Sequence, residues 1–109
     1  MTNAEYEPFT RISVAEAKAL IDGGTVKVID VREPSEYAEG HIPGAELIPL
    51  ATIMAKPDSV AFDNVVFVCA AGARSAVAAE FAASLGKQNL YNLEGGTGEW
   101  RKQGMPIDL

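Results

Sequence analysis

Apolar residues in this chain fall into short runs separated by stretches with helical spacing. Residues 65–68 (VVFV) form a continuous apolar run, β-branched and aromatic, which is the pattern of a strand buried on both faces. Residues 26–31 (VKVIDV), 45–48 (AELI) and 90–93 (LYNL) predict further strands, and Thr10, Arg11 and Ile12 a short edge strand. Between them Val14, Ala17, Leu20 and Ile21 recur on one helical face. Ser13 stands at the N-cap, Glu16 completes a capping box, and Gly23 and Gly24 end the helix. Residues 75–85 are rich in alanine, and Gly86 follows where a helix ends.

Shorter helical segments are expected at 34–40, where Pro34 suits a first turn, at 49–55, and around Trp100 after Gly95 and Gly96. Residues 41–44 (HIPG) read as a turn and 56–59 (KPDS) as a loop. Residues 1–9 read as a loose lead-in with little to bury, and 10–109 as a single domain. Strands alternating with helices at this spacing predict an α/β fold, a mostly parallel sheet covered on both faces. The run at 65–68 is its centre.

Composition narrows the function classes. A chain of 109 residues, 48% apolar and 22% charged, has room for one core and needs no staples. A net charge of −6 speaks against nucleic acid or an anionic membrane as partner. A small anionic substrate stays open, because one local cationic pocket overrides the mean field. The single cysteine forms no internal disulfide, so nothing requires an oxidising compartment. The first eleven residues lack a signal-peptide core, and the most apolar window carries Arg74 and Glu80. A cytoplasmic location is therefore the expectation. With one His and one Cys there is no set of ligands for a metal, and no cofactor is called for.

The candidate chemistry gathers at residues 69–75 (CAAGARS). Cys69 ends the central strand just before a helix, the place where open α/β sheets bind ligands. Its thiolate is the reactive form, and a free cysteine with a pKa near ~8.5 is mostly protonated at neutral pH. The backbone N–H groups of Ala70, Ala71, Gly72, Ala73, Arg74 and Ser75 can turn inward as an anion nest, to which the helix adds the positive end of its dipole. Arg74 supplies a full positive charge that can fork onto an anion. Gly72 permits a backbone conformation closed to other residues, and the alanines leave the mouth of the loop open. The plainer alternative is a cysteine that only packs at a strand end.

Three blocks, taken in order, resemble the rhodanese-like sulfurtransferases in their single-domain form. Residues 30–45 (DVREPSEYAEGHIPGA) are similar to that family's DVR…EY…GHIPGA signature, and residues 69–75 to its CxxGxRS loop. Residues 95–100 (GGTGEW) followed by 104–106 (GMP) are similar to its GG…W…G-x-P ending. The resemblance spans residues 12–107. It implies a three-layer fold with five strands in a mostly parallel sheet. It also implies a ping-pong reaction, in which a donor such as thiosulfate, a persulfide or a polysulfide leaves sulfane sulfur on Cys69 and a thiol or cyanide acceptor removes it. Residues 70–75 would bind the substrate, and a protein carrying or accepting a persulfide is a further partner class.

Departures from the family pattern matter too. Ala70 and Ala71 stand where good thiosulfate users often carry basic or polar side chains, which makes thiosulfate a doubtful donor. Dual-specificity phosphatases that share the fold use Cys-x5-Arg, whereas Cys69 and Arg74 are spaced Cys-x4-Arg, a tighter ring that disfavours a phosphate or arsenate ester. A non-catalytic partner-binding module and a dedicated sulfur carrier remain as alternatives. His41 lies in the GHIPG turn and is expected to be structural. The resemblance suggests that Asp30 and Arg32 tie loops together, with Arg32 reaching Glu36. Glu33, Glu36 and Glu39 read as a solvated helix face, and Trp100 as core or a lid.

Overall fold

The computed structural model describes residues 7–109. Strands β1 (Thr10–Ile12), β2 (Lys27–Asp30), β3 (Glu46–Leu47), β4 (Val65–Val68) and β5 (Leu90–Leu93) alternate with α1 (Val14–Asp22), α2 (Pro34–Ala38), α3 (Leu50–Ala55), α4 (Ala73–Ser84) and α5 (Gly96–Lys102). They form one five-stranded sheet in the order β1-β5-β4-β2-β3. Every pairing between these strands is parallel, and β1 lies at an edge as its sequence predicts. An isolated antiparallel bridge joins His41 to Asp108.

β4 explains why the sheet has two covered faces. Its four residues are fully buried, and successive side chains point to opposite sides. Val65 and Phe67 pack with Ile53 of α3 and with Ala78, Ala79 and Ala82 of α4. Val66 and Val68 pack with Val14 and Ala17 of α1 and with Trp100 of α5. Burying one such side chain contributes about 1.5–3 kcal/mol, so this strand anchors both layers. The alanines let α4 lie close over β4, which brings its N-terminus to the strand's carboxyl end. Ser13 and Glu16 form the capping box that opens α1.

The structure departs from the sequence reading in several places. Residues 56–59 were expected as loop, but Pro57–Val60 is a 3-10 helix, begun by Pro57 and held down by the fully buried Val60. Phe9, counted with the lead-in, is only 7% exposed and packs in the core, because β1 beside it carries the chain onto the sheet. Residues 1–6 of that lead-in lie outside the described residues. The third strand is cut to two residues at the edge beside β2. Helix α4 starts at Ala73, two residues ahead of the predicted start at Ser75, because Gly72 already turns the chain. Among the described residues no helix is long and apolar enough to cross a membrane.

Candidate active site

In a trans peptide the C=O and the following N–H point in opposite directions. That rule arranges the loop after β4. The Cys69 carbonyl accepts from Thr97 N–H at 2.9 Å and the Ala70 carbonyl from Gly98 N–H at 3.1 Å, both in the first turn of α5. With those carbonyls turned toward α5, the Ala71 N–H faces the other way, toward the Cys69 sulfur. Such close approach requires Gly96, where a Cβ would collide with the backbone of Cys69 and Ala70. Gly72 then has φ +105°, a conformation that L side chains rarely adopt, and caps α4. Ala73, Arg74 and Ser75 are consequently the first turn of a helix, where backbone N–H groups lack intrahelical partners.

These constraints converge on Cys69 Sγ. Gly72 N–H donates to it at 3.0 Å, and the Ser75 hydroxyl lies at 3.3 Å. Burial pushes the Cys69 thiol up. That push is outweighed by the Ser75 hydroxyl and by the backbone N–H groups of Ser75, Ala71 and Gly72, so the net shift is below the ordinary thiol value. The site is an anion cradle at the N-terminus of α4.

The Ser75 hydroxyl has two claimants. It is 2.5 Å from Asn92 Oδ1 and 3.3 Å from Sγ, yet it carries one proton. Asn92 is fully buried, and its amide donates to the Gly72 carbonyl at 3.1 Å and to Glu94 at 2.7 Å, which fixes Oδ1 toward Ser75. In the thiol form Sγ–H can donate to Ser75, whose own proton goes to Asn92. In the thiolate form the hydroxyl has the sulfur as a second acceptor within reach. The backbone donors cannot be diverted in this way, so they are the dependable part of the cradle.

Arg74, read in the sequence as the positive charge of the loop that can fork onto an anion, already forks onto one of the protein's own carboxylates. Its guanidinium makes a two-pronged pair with Glu36 of α2, at 2.7 and 3.0 Å. Arg74 first, then the Glu33 N–H, holds the Glu36 carboxyl down to about 2, against the opposing push of burial. Glu36 likewise raises Arg74, and the Cys69 sulfur adds a smaller pull. Glu36 is therefore paired and only about one-third exposed rather than part of a free solvated face, whereas Glu33 and Glu39 are exposed as expected.

Arg32 also differs. It does not reach Glu36 but forks onto Asp30 at 2.7–3.1 Å and donates to the Gly40 carbonyl at 2.8 Å. Residues two apart at a strand end share a face, which puts Asp30 within its reach. The expected tying of loops holds, with a different partner.

The remaining candidates fall into place around this centre. Ala71 and Ala73 are exposed and Ala70 is half-buried. His41 stacks on the Tyr37 ring at 3.7 Å and bonds to the Tyr37 carbonyl through Nδ1, a structural placement. Trp100 is core, its indole N–H donating to the Pro106 carbonyl at 2.7 Å. Among the described residues no group of three or more His, Cys, Asp or Glu is arranged to hold a metal.

Asn92 and the partnership of Glu36 with Arg74 were missed in the sequence, and Gly96 was read as part of the glycine pair before the last helix without its contact with the Cys69 loop. Asn92 carried a signal, as a polar residue inside an apolar strand. Cys69 itself is only 1% exposed, so access to its sulfur is narrow. Two broader grooves lie elsewhere, one along α4 at Val77, Glu80, Phe81 and Ser84 and the other beside β1 at Glu7 and Tyr91.

Comparison with known proteins agrees with this architecture. The family model described as "Rhodanese-like domain" matches residues 13–103. The chain is 34% identical to the thiosulfate sulfurtransferase GlpE of Pseudoalteromonas translucida over 93 residues, 84% of this chain and 89% of that protein. It is 35% identical to a sulfurtransferase of Allochromatium vinosum over 92 residues, 84% of this chain and 86% of that one. The crystal structure of a rhodanese-related protein from Thermoplasma volcanium superposes with a TM-score of 0.81 at 35% identity, covering 92% of this chain and 98% of the other. With its parallel sheet, its cysteine loop and a family match across most of its length, the chain belongs to the rhodanese-like domain family.

Proposed function

We propose that this protein is a sulfurtransferase that carries sulfane sulfur on Cys69. The observation that supports it most is the Gly72 N–H donating to Sγ at 3.0 Å, with the Ser75 hydroxyl 3.3 Å away, at the N-terminus of α4. A persulfide puts its charge on the outer sulfur, one bond beyond Sγ, and a helix N-terminus such as that of α4 favours negative charge near it. In the first step the Cys69 thiolate attacks the outer sulfur of a donor. The new Sγ–S bond forms as the donor's S–S bond breaks, and the leaving group departs with the electron pair. A thiol or cyanide acceptor then attacks the outer sulfur of the Cys69 persulfide and restores the thiolate. Splitting the transfer gives two displacements at sulfur through one covalent intermediate.

The near-complete burial of Sγ favours a terminal sulfur over a bulky ester, which counts against the phosphatase and arsenate-reductase readings. A partner-binding module would have no use for a cradle that lowers a thiol pKa. A dedicated carrier would use the same persulfide and differ only in having a specific protein as acceptor.

Intact mass after incubation with thiosulfate or inorganic polysulfide tests the reading. The expected result is a gain of one sulfur atom, released by cyanide as thiocyanate and absent in Cys69→Ser. Folded protein with a free thiol that gains no sulfur from either donor would sink the proposal.

A further inference from the structure

Arg74 is the one cation of the cysteine loop, and both carboxylate oxygens of Glu36 engage its two terminal nitrogens. Glu36 is itself pinned, because its Oε1 accepts from the Glu33 N–H at 3.0 Å in the first turn of α2. Pro34 opens that helix, so the carboxylate is held by a short rigid element rather than by a mobile arm. The pair is about one-third exposed on each side, in keeping with a place at the rim of the site rather than in the core. Ala70 and Ala71 add no charge of their own.

A dianionic donor therefore approaches a guanidinium whose charge is already balanced, with a carboxylate beside it. A persulfide asks for less. It brings one negative charge at most near the reacting atoms, and the backbone N–H groups suffice for it. The Arg74 guanidinium has five N–H groups and Glu36 engages one on each of its terminal nitrogens, so donors remain available without net charge.

We propose that Glu36 is a specificity-determining residue that, by neutralising Arg74, makes the Cys69 site select organic persulfides over thiosulfate. The inference rests on the sulfurtransferase reading above and names the donor class for it. Glu36 acts through Arg74 and is a positioning residue, not a catalytic one. The Cys69 thiolate attacks the terminal sulfur of RS–SH, the Sγ–S bond forms, and the RS–S bond breaks. RS⁻ leaves with the electron pair and takes up the persulfide proton as RSH, so Cys69 ends as the persulfide anion. From thiosulfate the same attack would release sulfite.

The test uses the full chain and compares wild type, Glu36→Gln and the double variant Glu36→Gln with Arg74→Ala. Single-sulfur gain on Cys69 is followed by intact mass with thiosulfate and with 2-hydroxyethyl persulfide, at low and high ionic strength. Gln keeps an oxygen for the Glu33 N–H and for Arg74 but removes the charge. Wild type should load faster from the persulfide. Glu36→Gln should raise the ratio of thiosulfate to persulfide loading by about tenfold or more, the scale of one unit charge a few ångströms away at a protein surface. That gain should shrink at high ionic strength, where exposed charges are screened, and vanish in the double variant. A new gain with thiosulfate is something that mere structural damage would not produce.

An unchanged ratio in Glu36→Gln, or a gain that survives loss of Arg74, would overturn the inference while leaving persulfide chemistry intact. Wild type that loads from thiosulfate as fast as from the persulfide would overturn it in the same way. Wild type that loads from neither would instead remove the sulfurtransferase reading, and this inference with it.

Discussion

Two arginine–carboxylate pairs draw on the same stretch of chain, residues 30–36, and serve opposite ends. Arg32 and Asp30 are almost wholly buried, with side chains 6% and 1% exposed, whereas Arg74 and Glu36 are 35% and 32% exposed. Both arginines fork onto a carboxylate, so bond geometry does not separate them. Burial does. Inside, the two charges have lost their water and depend on each other, with Arg32 donating also to the Gly40 carbonyl and Asp30 accepting also from the Arg32 N–H. At the rim, water screens both partners and the bond contributes little to folding. A pair that contributes little to stability can be altered with the fold intact, so its effect on the cysteine loop can be read separately from folding.

The contrast can be broken most forcefully from inside. Arg32→Ala should leave Asp30 as an uncompensated buried charge and cost about 3–5 kcal/mol of unfolding free energy. Urea denaturation measures it, and a loss as small as that of a surface pair would show that the burial argument is wrong. Arg74→Ala should cost about 1 kcal/mol or less by the same measurement. It should nevertheless slow loading from thiosulfate more than from an uncharged persulfide, since Glu36 then stands unpaired; equal slowing would end the special role of Arg74 toward anions.

A finer test asks what sets the thiolate. Ser75→Ala should raise the Cys69 pKa by removing a donor to Sγ, and should raise it more than Arg74→Ala does. The pH profile of alkylation rate reads this directly. A Cys69 pKa that stays put in Ser75→Ala would assign the hydroxyl proton to Asn92 in both states of the sulfur.

The smallest expected effect is in acid. Glu36 is held down to about 2, so its contribution to stability is complete above its ordinary value of 4.5 and is lost as pH falls through about 2. In Glu36→Gln the slope of stability against pH across that window should flatten, by no more than about 1 kcal/mol in all because the pair is exposed. An unchanged slope would mean that the pair does not persist in solution.

Much of this was legible from residue order. A strand buried on both faces must be apolar at every position, so VVFV announced the sheet's centre, and all four residues are buried. The capping box at Ser13 and Glu16 is likewise local chemistry, complete within four residues. Gly72 declared itself because a backbone turn of its kind admits few other residues. The start of α4 was placed two residues late because a left-handed glycine both ends a loop and caps a helix, and spacing does not say which.

Residue order by itself therefore determined the layered α/β architecture, the cysteine at the end of its central strand and the glycine that turns the chain there. Those features follow from hydrophobic period and backbone torsion, which act over a few residues. Tertiary structure alone decided which carboxylate meets which arginine. Glu36 and Arg74 are 38 positions apart, and only the parallel pairing of β2 with β4 brings α2 and α4 to the same end of the sheet. It also decided that Gly96 must lack a side chain and that Asn92 holds Ser75, because both follow from β5 and α5 closing over the Cys69 loop. Charge attracts in any arrangement, and the fold selects the partner by distance and by the water it leaves between them.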